Sequence, residues 1–262
     1  MEIYMKKYFD NFWKYHYLLW ELVKKGIKLK YRRSYLGIIW SLLEPILTTI
    51  VLTVVFGTLF DNKEKTFPLY ILTGRLLYSY FSSSTKAALK SIRQNSGMIK
   101  KVYVPKYLYP LSSILYNFVI FLLSLIVFVL LGFYCQVFPN LRWIAILLPL
   151  FILLLLSFGV GMILATIGVF FRDMEYLWDV LLMLVMYSSA IFYKPERLLK
   201  SGFSWILTVN PLYAIIENTR NIVFGTPINW TSMFYAAGFA AVSVLIGLIV
   251  FQRSQDRFIL NI

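Results

Sequence analysis

The chain has one cysteine, Cys135, and one histidine, His16. A lone cysteine excludes an intrachain disulfide. Without a cysteine or histidine cluster, no zinc or iron site is expected. Charge is scarce too: Asp, Glu, Lys and Arg make up 15% of residues, against about 25% in ordinary soluble domains. Only twelve residues are acidic, and no Asp-x-Asp occurs. No glycine is followed by lysine, so the chain lacks the Gly-Lys-Ser/Thr of a P-loop and has no such means of using ATP itself. No internal repeat supports an inverted-repeat transporter.

What remains is apolar. Hydrophobic residues are 60% of the chain, aromatic residues 18%, and the mean hydropathy is +0.71. A soluble core of this composition would have too little polar surface to cover it, whereas lipid accepts it. The net charge of +14 does not point to nucleic acid, because Lys and Arg sit in short stretches beside long apolar runs. The fold class is therefore all-α integral membrane, with about six transmembrane helices.

Residues 1–34 are read as a cytoplasmic amphipathic helix lying on the membrane. Phe9, Phe12, Trp13, His16, Leu19, Trp20, Val23 and Ile27 recur at helical spacing, and lysines take the opposite face. No signal-peptide core precedes a cleavage site, so the N-terminus is expected to be retained. Within a transmembrane domain at 35–254, spans are placed near 35–60, 68–89, 108–134, 143–171, 175–193 and 232–252. Residues 255–262 form a cytoplasmic tail. With the N-terminus inside, nine basic residues precede residue 36 and six fall in 86–106. Arg172, Arg253 and Arg257 bring the inner total to 18 of 26. That bias places both termini in the cytoplasm and Cys135 outside. Residues 194–231 are apolar but too short to span, and read as a re-entrant outer helix pair or an outer loop. Asn210-Pro211 starts a helix there, and Gly225-Thr226-Pro227 ends it.

Several polar residues stand out against this background. Arg75 lies inside the second span, where a cation marks an anion site or pathway, or snorkels outward. Glu44-Pro45 kinks the first span, and Glu44 either lines the inner mouth of a path or reaches the interface. Asp173, Glu175 and Asp179 sit at the start of the fifth span. They are carboxylates favoured by a helix N-terminus, or the metal-binding set of a lipid-linked transferase. Gly159, Gly161, Ala165 and Gly168 give the fourth span a small-residue packing face. The 91–106 segment mixes Arg93, Lys100 and Lys101 with Ile92, Met98, Ile99, Val102 and Tyr103. That mixture fits a short helix docking into a groove on a partner protein, or one resting on headgroups.

Taken in order, several stretches resemble one family. They are Leu29-Lys30-Tyr31-Arg32-Arg33-Ser34-Tyr35-Leu36-Gly37-Ile38-Ile39-Trp40-Ser41 into Glu44-Pro45, and Leu72-Thr73-Gly74. Ile99-Lys100-Lys101 to Val104-Pro105, Phe170-Phe171-Arg172-Asp173, and Trp205 to Asn210-Pro211-Leu212 follow. The chain resembles the permeases of ABC-2 type exporters, in the branch that exports lipid-linked O-antigen, teichoic acid or capsule-like polysaccharides. The run Arg75-Leu76-Leu77-Tyr78 departs from the family, which has apolar residues followed by proline and tryptophan there.

The resemblance implies a homodimer in a bacterial inner (plasma) membrane, with two P-loop ATPase subunits docked beneath it. ATP and Mg would bind those subunits, and this chain would hold no cofactor or metal. The implied cargo is a glycan on undecaprenyl diphosphate. Arg75, Glu44 and Tyr78 are assigned to the substrate path. Arg93, Met98, Ile99, Lys100, Val102, Tyr103, Arg172 and Asp173 are assigned to ATPase coupling. Trp205, Asn210, Pro211, Tyr213 and Glu217 are assigned to the outer gate, with Glu217 a candidate ion-pair partner for Arg75. The competing readings are an ABC-2 permease for another lipid or drug, a membrane polyprenyl-phosphate glycosyltransferase, and a channel without an energy source.

Overall fold

The computed structural model describes residues 2–32, 34–102, 104–199 and 202–261, with backbone alone for 2–13, 197, 260 and 261. Tyr103 of the coupling set lies outside the described residues. Those described form helices and connecting turns, with no strand among them. The helices are α1 (Glu2–Tyr31), α2 (Trp40–Leu59), α3 (Phe67–Gln94), α4 (Ser96–Ile99), α5 (Leu108–Tyr134) and α6 (Leu147–Phe170). They continue with α7 (Met174–Tyr187), α8 (Glu196–Leu199), α9 (Trp205–Thr208), α10 (Pro211–Val223), α11 (Trp230–Ser254) and α12 (Phe258–Asn261).

Four stretches are long and apolar enough to cross a membrane: Gly37–Leu59, Leu108–Tyr134, Leu141–Phe170 and Trp230–Arg257. They coincide with the first, third, fourth and sixth expected spans. The second, α3, is long enough but carries Arg75, Lys86, Lys90 and Arg93. It runs through the middle of the molecule and packs on α2, α5, α6, α7 and α10. Buried residues recur around its circumference, so protein rather than lipid surrounds much of its length.

The fifth differs most from expectation. α7 has 14 residues, a rise of about 21 Å. It stops at Tyr187, and Ala190 takes a positive φ of 47°. Side chains supply the reason. Ser189 Oγ donates to Val185 O at 2.6 Å, and Asn210 Nδ2 donates to Ser188 O at 3.2 Å. Arg220 takes the carbonyls of Ala190 and Ile191. Backbone acceptors satisfied this way need no further helical turn.

α6 and α11 cross at the small-residue face. A Cβ on Gly159 would lie 2.5 Å from the backbone of Ser243, and one on Gly247 would lie 2.6 Å from Gly159 O. Gly161 meets Ile114 and Ala88, and Gly168 meets Leu89. Absent side chains thus let three helices approach α6 closely.

The Glu44-Pro45 step is also accommodated. Pro45 has no N–H to offer Ser41 O four residues back. Ser124 of α5 donates its hydroxyl to that carbonyl at 2.9 Å.

One end of the molecule gathers Leu19 and Leu22 of α1, Ile92, Ile99, Leu108, Val169, Phe251 and Phe258 into a single apolar cluster. Lys106 Nζ donates to Gln255 O at 2.6 Å. The N-terminal helix, the 91–106 connection and the C-terminal helices therefore pack together. Cys135 is buried at 4% exposure, so it does not report topology to a thiol reagent in the way its loop position implied.

Candidate substrate path

Two of the three path residues meet. Glu44 of α2 and half-buried Arg75 of α3 line one small polar cavity, together with Lys30, Ser79, Asn117 and Ser124. Asn117 Nδ2 donates to Ser113 O at 2.9 Å, and Thr48 Oγ1 donates to Glu44 O at 2.7 Å. Arg75 also ends a second groove of about 480 Å³, walled by Leu47, Val51, Phe56, Met186 and Phe192. Arg75 therefore borders both a polar pocket and an apolar trough. Among the described residues no salt bridge reaches it.

Tyr78 does not join them. It is buried at 7% exposure, and its hydroxyl donates to Leu182 O of α7 at 2.9 Å. The pairing of Arg75 with Glu217 is not formed either. Glu217 Oε1 accepts from Tyr213 Oη at 3.2 Å, one turn back on the same helix.

The coupling residues separate into two groups. Ile99 is buried at 8% exposure in the apolar cluster, and Met98 packs against that cluster. α4 is a single turn packed on α3, and it turns Ile99 into the cluster that also holds Leu19 of α1 and Leu108 of α5. Val102, Lys100, Arg172 and Asp173 are exposed. Arg93 pairs with Glu175.

The residues assigned to the outer gate fall on two consecutive helices, Trp205 on α9 and the others at the start and along the length of α10. Asn210 caps α10 by accepting from Leu212 N at 3.0 Å and Tyr213 N at 3.4 Å, with Pro211 at the first position. Tyr213 is buried, and Trp205 of α9 is exposed. Nearby, a hydrogen bond to Glu64 at 2.5 Å holds the Lys194 ammonium above the usual lysine range.

Sequence reasoning missed Arg220. Its side chain is buried, at 5% exposure. It donates to Tyr70 O at 3.0 Å, Ala190 O at 2.9 Å and Ile191 O at 3.1 Å, and lies 3.4 Å over the Tyr70 ring. A Cβ on Gly74 would lie 2.7 Å from Arg220 Nη2, so glycine is what leaves the guanidinium room. One signal was present. Helical spacing puts residue 220 on the apolar face with Tyr213, Ile216 and Val223.

The sequence profile described as ABC-2 type transporter matches residues 17–224. The chain belongs to the ABC-2 type transporter family. An O-antigen export system permease protein, RfbA, of Klebsiella pneumoniae is 30% identical over 245 residues, covering 92% of this chain and 93% of that protein. The RfbA of Myxococcus xanthus is 28% identical over 252 residues, covering 94% and 95%. The polysialic acid transport protein KpsM of Escherichia coli is 26% identical over 246 residues, covering 91% and 93%. The ABC-2 match makes this chain a multi-pass membrane component of a transporter.

Proposed function

We propose that this chain is the membrane-spanning permease subunit of an ATP-driven exporter. It moves an undecaprenyl-diphosphate-linked polysaccharide from the cytoplasmic to the outer side of a bacterial inner (plasma) membrane. The near full-length likeness to O-antigen and polysialic acid export proteins carries the reading. α3 and α7 complete six spans. Residues 1–34 lie at the cytoplasmic interface and residues 194–231 re-enter the outer leaflet, with both termini cytoplasmic. ATP and Mg act on a separate P-loop ATPase docked at the end that exposes Lys100, Val102, Arg172 and Asp173. A second copy of the chain covers the exposed apolar side of α2, where only Ser41, Pro45 and Thr49 are buried.

The surroundings of Arg75 support a lipid-linked anionic cargo. A guanidinium matches phosphate oxygens in two-pronged fashion, and the adjoining groove suits an isoprenoid chain. An arginine at this depth is costly unless it meets an anion or water. Two of the three carboxylates that a glycosyltransferase would use for metal are otherwise engaged: Glu175 with Lys90 and Arg93, Asp179 with Lys86.

Affinity purification of the tagged chain from cells that co-express candidate ATPases tests the reading. A P-loop ATPase that copurifies and hydrolyses ATP is the expected result. A chain that purifies intact without any ATPase would remove the exporter assignment.

A further inference from the structure

Glu175 and Asp179 belong to a ladder between two helices. Glu175 pairs with Lys90 at 2.8 Å and with Arg93. Trp178 Nε1 donates to Thr85 Oγ1 at 3.0 Å, Asp179 pairs with Lys86 at 2.8 Å, and Tyr78 Oη reaches Leu182 O at 2.9 Å. Residues 175, 178, 179 and 182 fall on one face of α7, and 93, 90, 86, 85 and 78 on one face of α3. The rungs follow in register along two antiparallel helices.

Beyond the ladder, α7 packs only partly, with Trp178, Val185 and Met186 leaning on the main apolar core. Leu182 is its only buried residue, whereas Leu177, Val180 and Leu184 are 59%, 59% and 61% exposed. Its far end is also tied by polar bonds. Asn210 Nδ2 donates to Ser188 O, Ser188 Oγ at 3.1 Å and Ser189 Oγ at 2.9 Å, and Arg220 holds the next carbonyls. α7 thus joins the helix that leads into the 91–106 segment to the cap of α10.

We infer that α7 is a strut that transmits movement of the 91–106 segment to the outer helices, with Glu175 and Asp179 as the positioning residues that lock it to α3. The inference rests on the exporter reading. Ion pairs at or near the surface add little to folding, so these three, together with the Trp178 and Tyr78 hydrogen bonds, are better suited to fixing register than to holding the fold. Loss of the rungs would leave the ATPase bound and turning over while α7 no longer follows α3.

The test compares permease–ATPase complexes of wild type, Glu175→Gln/Asp179→Asn, Asp179→Lys, and Asp179→Lys with Lys86→Asp. Complex yield, ATP hydrolysis and surface polysaccharide of the host strain are measured for each. The neutral double variant is expected to assemble and hydrolyse ATP while export falls about tenfold, within the range of coupling between distant sites. Asp179→Lys behaves likewise, and adding Lys86→Asp restores export. Lys86→Gln removes the same pair from the α3 side without introducing a like charge, and should show the milder defect. Normal export by the neutral double variant overturns the strut. So does loss of assembly that the charge swap fails to rescue, because that is what a folding role predicts. Wild-type chain that binds no ATPase overturns the exporter reading itself, and the strut with it.

Discussion

At Arg220 a guanidinium is buried among backbone carbonyls instead of against a carboxylate. Truncation leaves those acceptors without a donor, at about 1–3 kcal/mol for each one left unsatisfied. Arg220→Ala is therefore expected to lower the melting temperature in detergent by several degrees. Gly74→Ala should reproduce part of that loss by pushing on Nη2. The two together should cost less than their sum, because they damage one contact. Fully additive losses would mean that Gly74 does not serve Arg220. Arg75 carries a different expectation. Arg75→Gln should lower export with assembly and melting unchanged, and Arg75→Lys should recover only part, since an ammonium lacks the fork. Glu217→Gln should leave the Arg75 function intact, because Glu217 bonds to Tyr213. Unaltered export by Arg75→Gln would take Arg75 out of the path. The sequence marked Arg75 because a charge in an apolar run is conspicuous. It hid Arg220 because the surrounding segment is short and mixed, and only the helical face of α10 shows where the side chain points.

Among the elements, α2 shows how a broken ladder is repaired. Ser124 fills the place of the missing Pro45 N–H at Ser41 O. Ser124→Ala should destabilise the wild type by about 1 kcal/mol, the usual net worth of such a bond. In a Pro45→Ala background, where the backbone N–H returns, the same change should be close to neutral. Equal losses in both backgrounds would break the link between the two residues. The 91–106 segment divides its duties in the same concrete way. Val102→Asp should weaken ATPase binding with melting unchanged, because Val102 is exposed. Ile99→Asp should unfold the inner cluster, because it puts an unpaired charge among buried apolar groups. The helix pattern was legible where apolar runs are long, and the start of α10 was legible from Asn210-Pro211. The stop of α7 at Tyr187 was not. It depends on Asn210 and Arg220, which are distant in sequence, and no local signal near Ser188 announces them.

For the whole molecule, the apolar composition and the charge bias already required a membrane and a shared end for both termini and residues 91–106. The cluster of Leu19, Ile92, Ile99, Phe251 and Phe258 brings α1, the 91–106 segment and the C-terminal helices together. Composition did not disclose how α3 survives with four basic residues. It is wrapped by other helices, and its inner charges meet Glu175 and Asp179. Sidedness is open to a simple check with Cys135 replaced by alanine. A cysteine at Ser96 should stay protected from an impermeant thiol reagent in intact cells, and one at Lys63 should label. The reverse pattern would invert the topology.

The central claim is export, and the most direct measurement is where the polysaccharide lies in a host lacking this chain. Polymer is detected with a specific antibody on intact cells and again after permeabilisation. The account predicts no surface polymer in the deletion strain and lipid-linked polymer retained inside. A plasmid copy should restore the surface signal only when the partner ATPase keeps its P-loop lysine. Surface polymer at the wild-type level in the deletion strain would contradict the account.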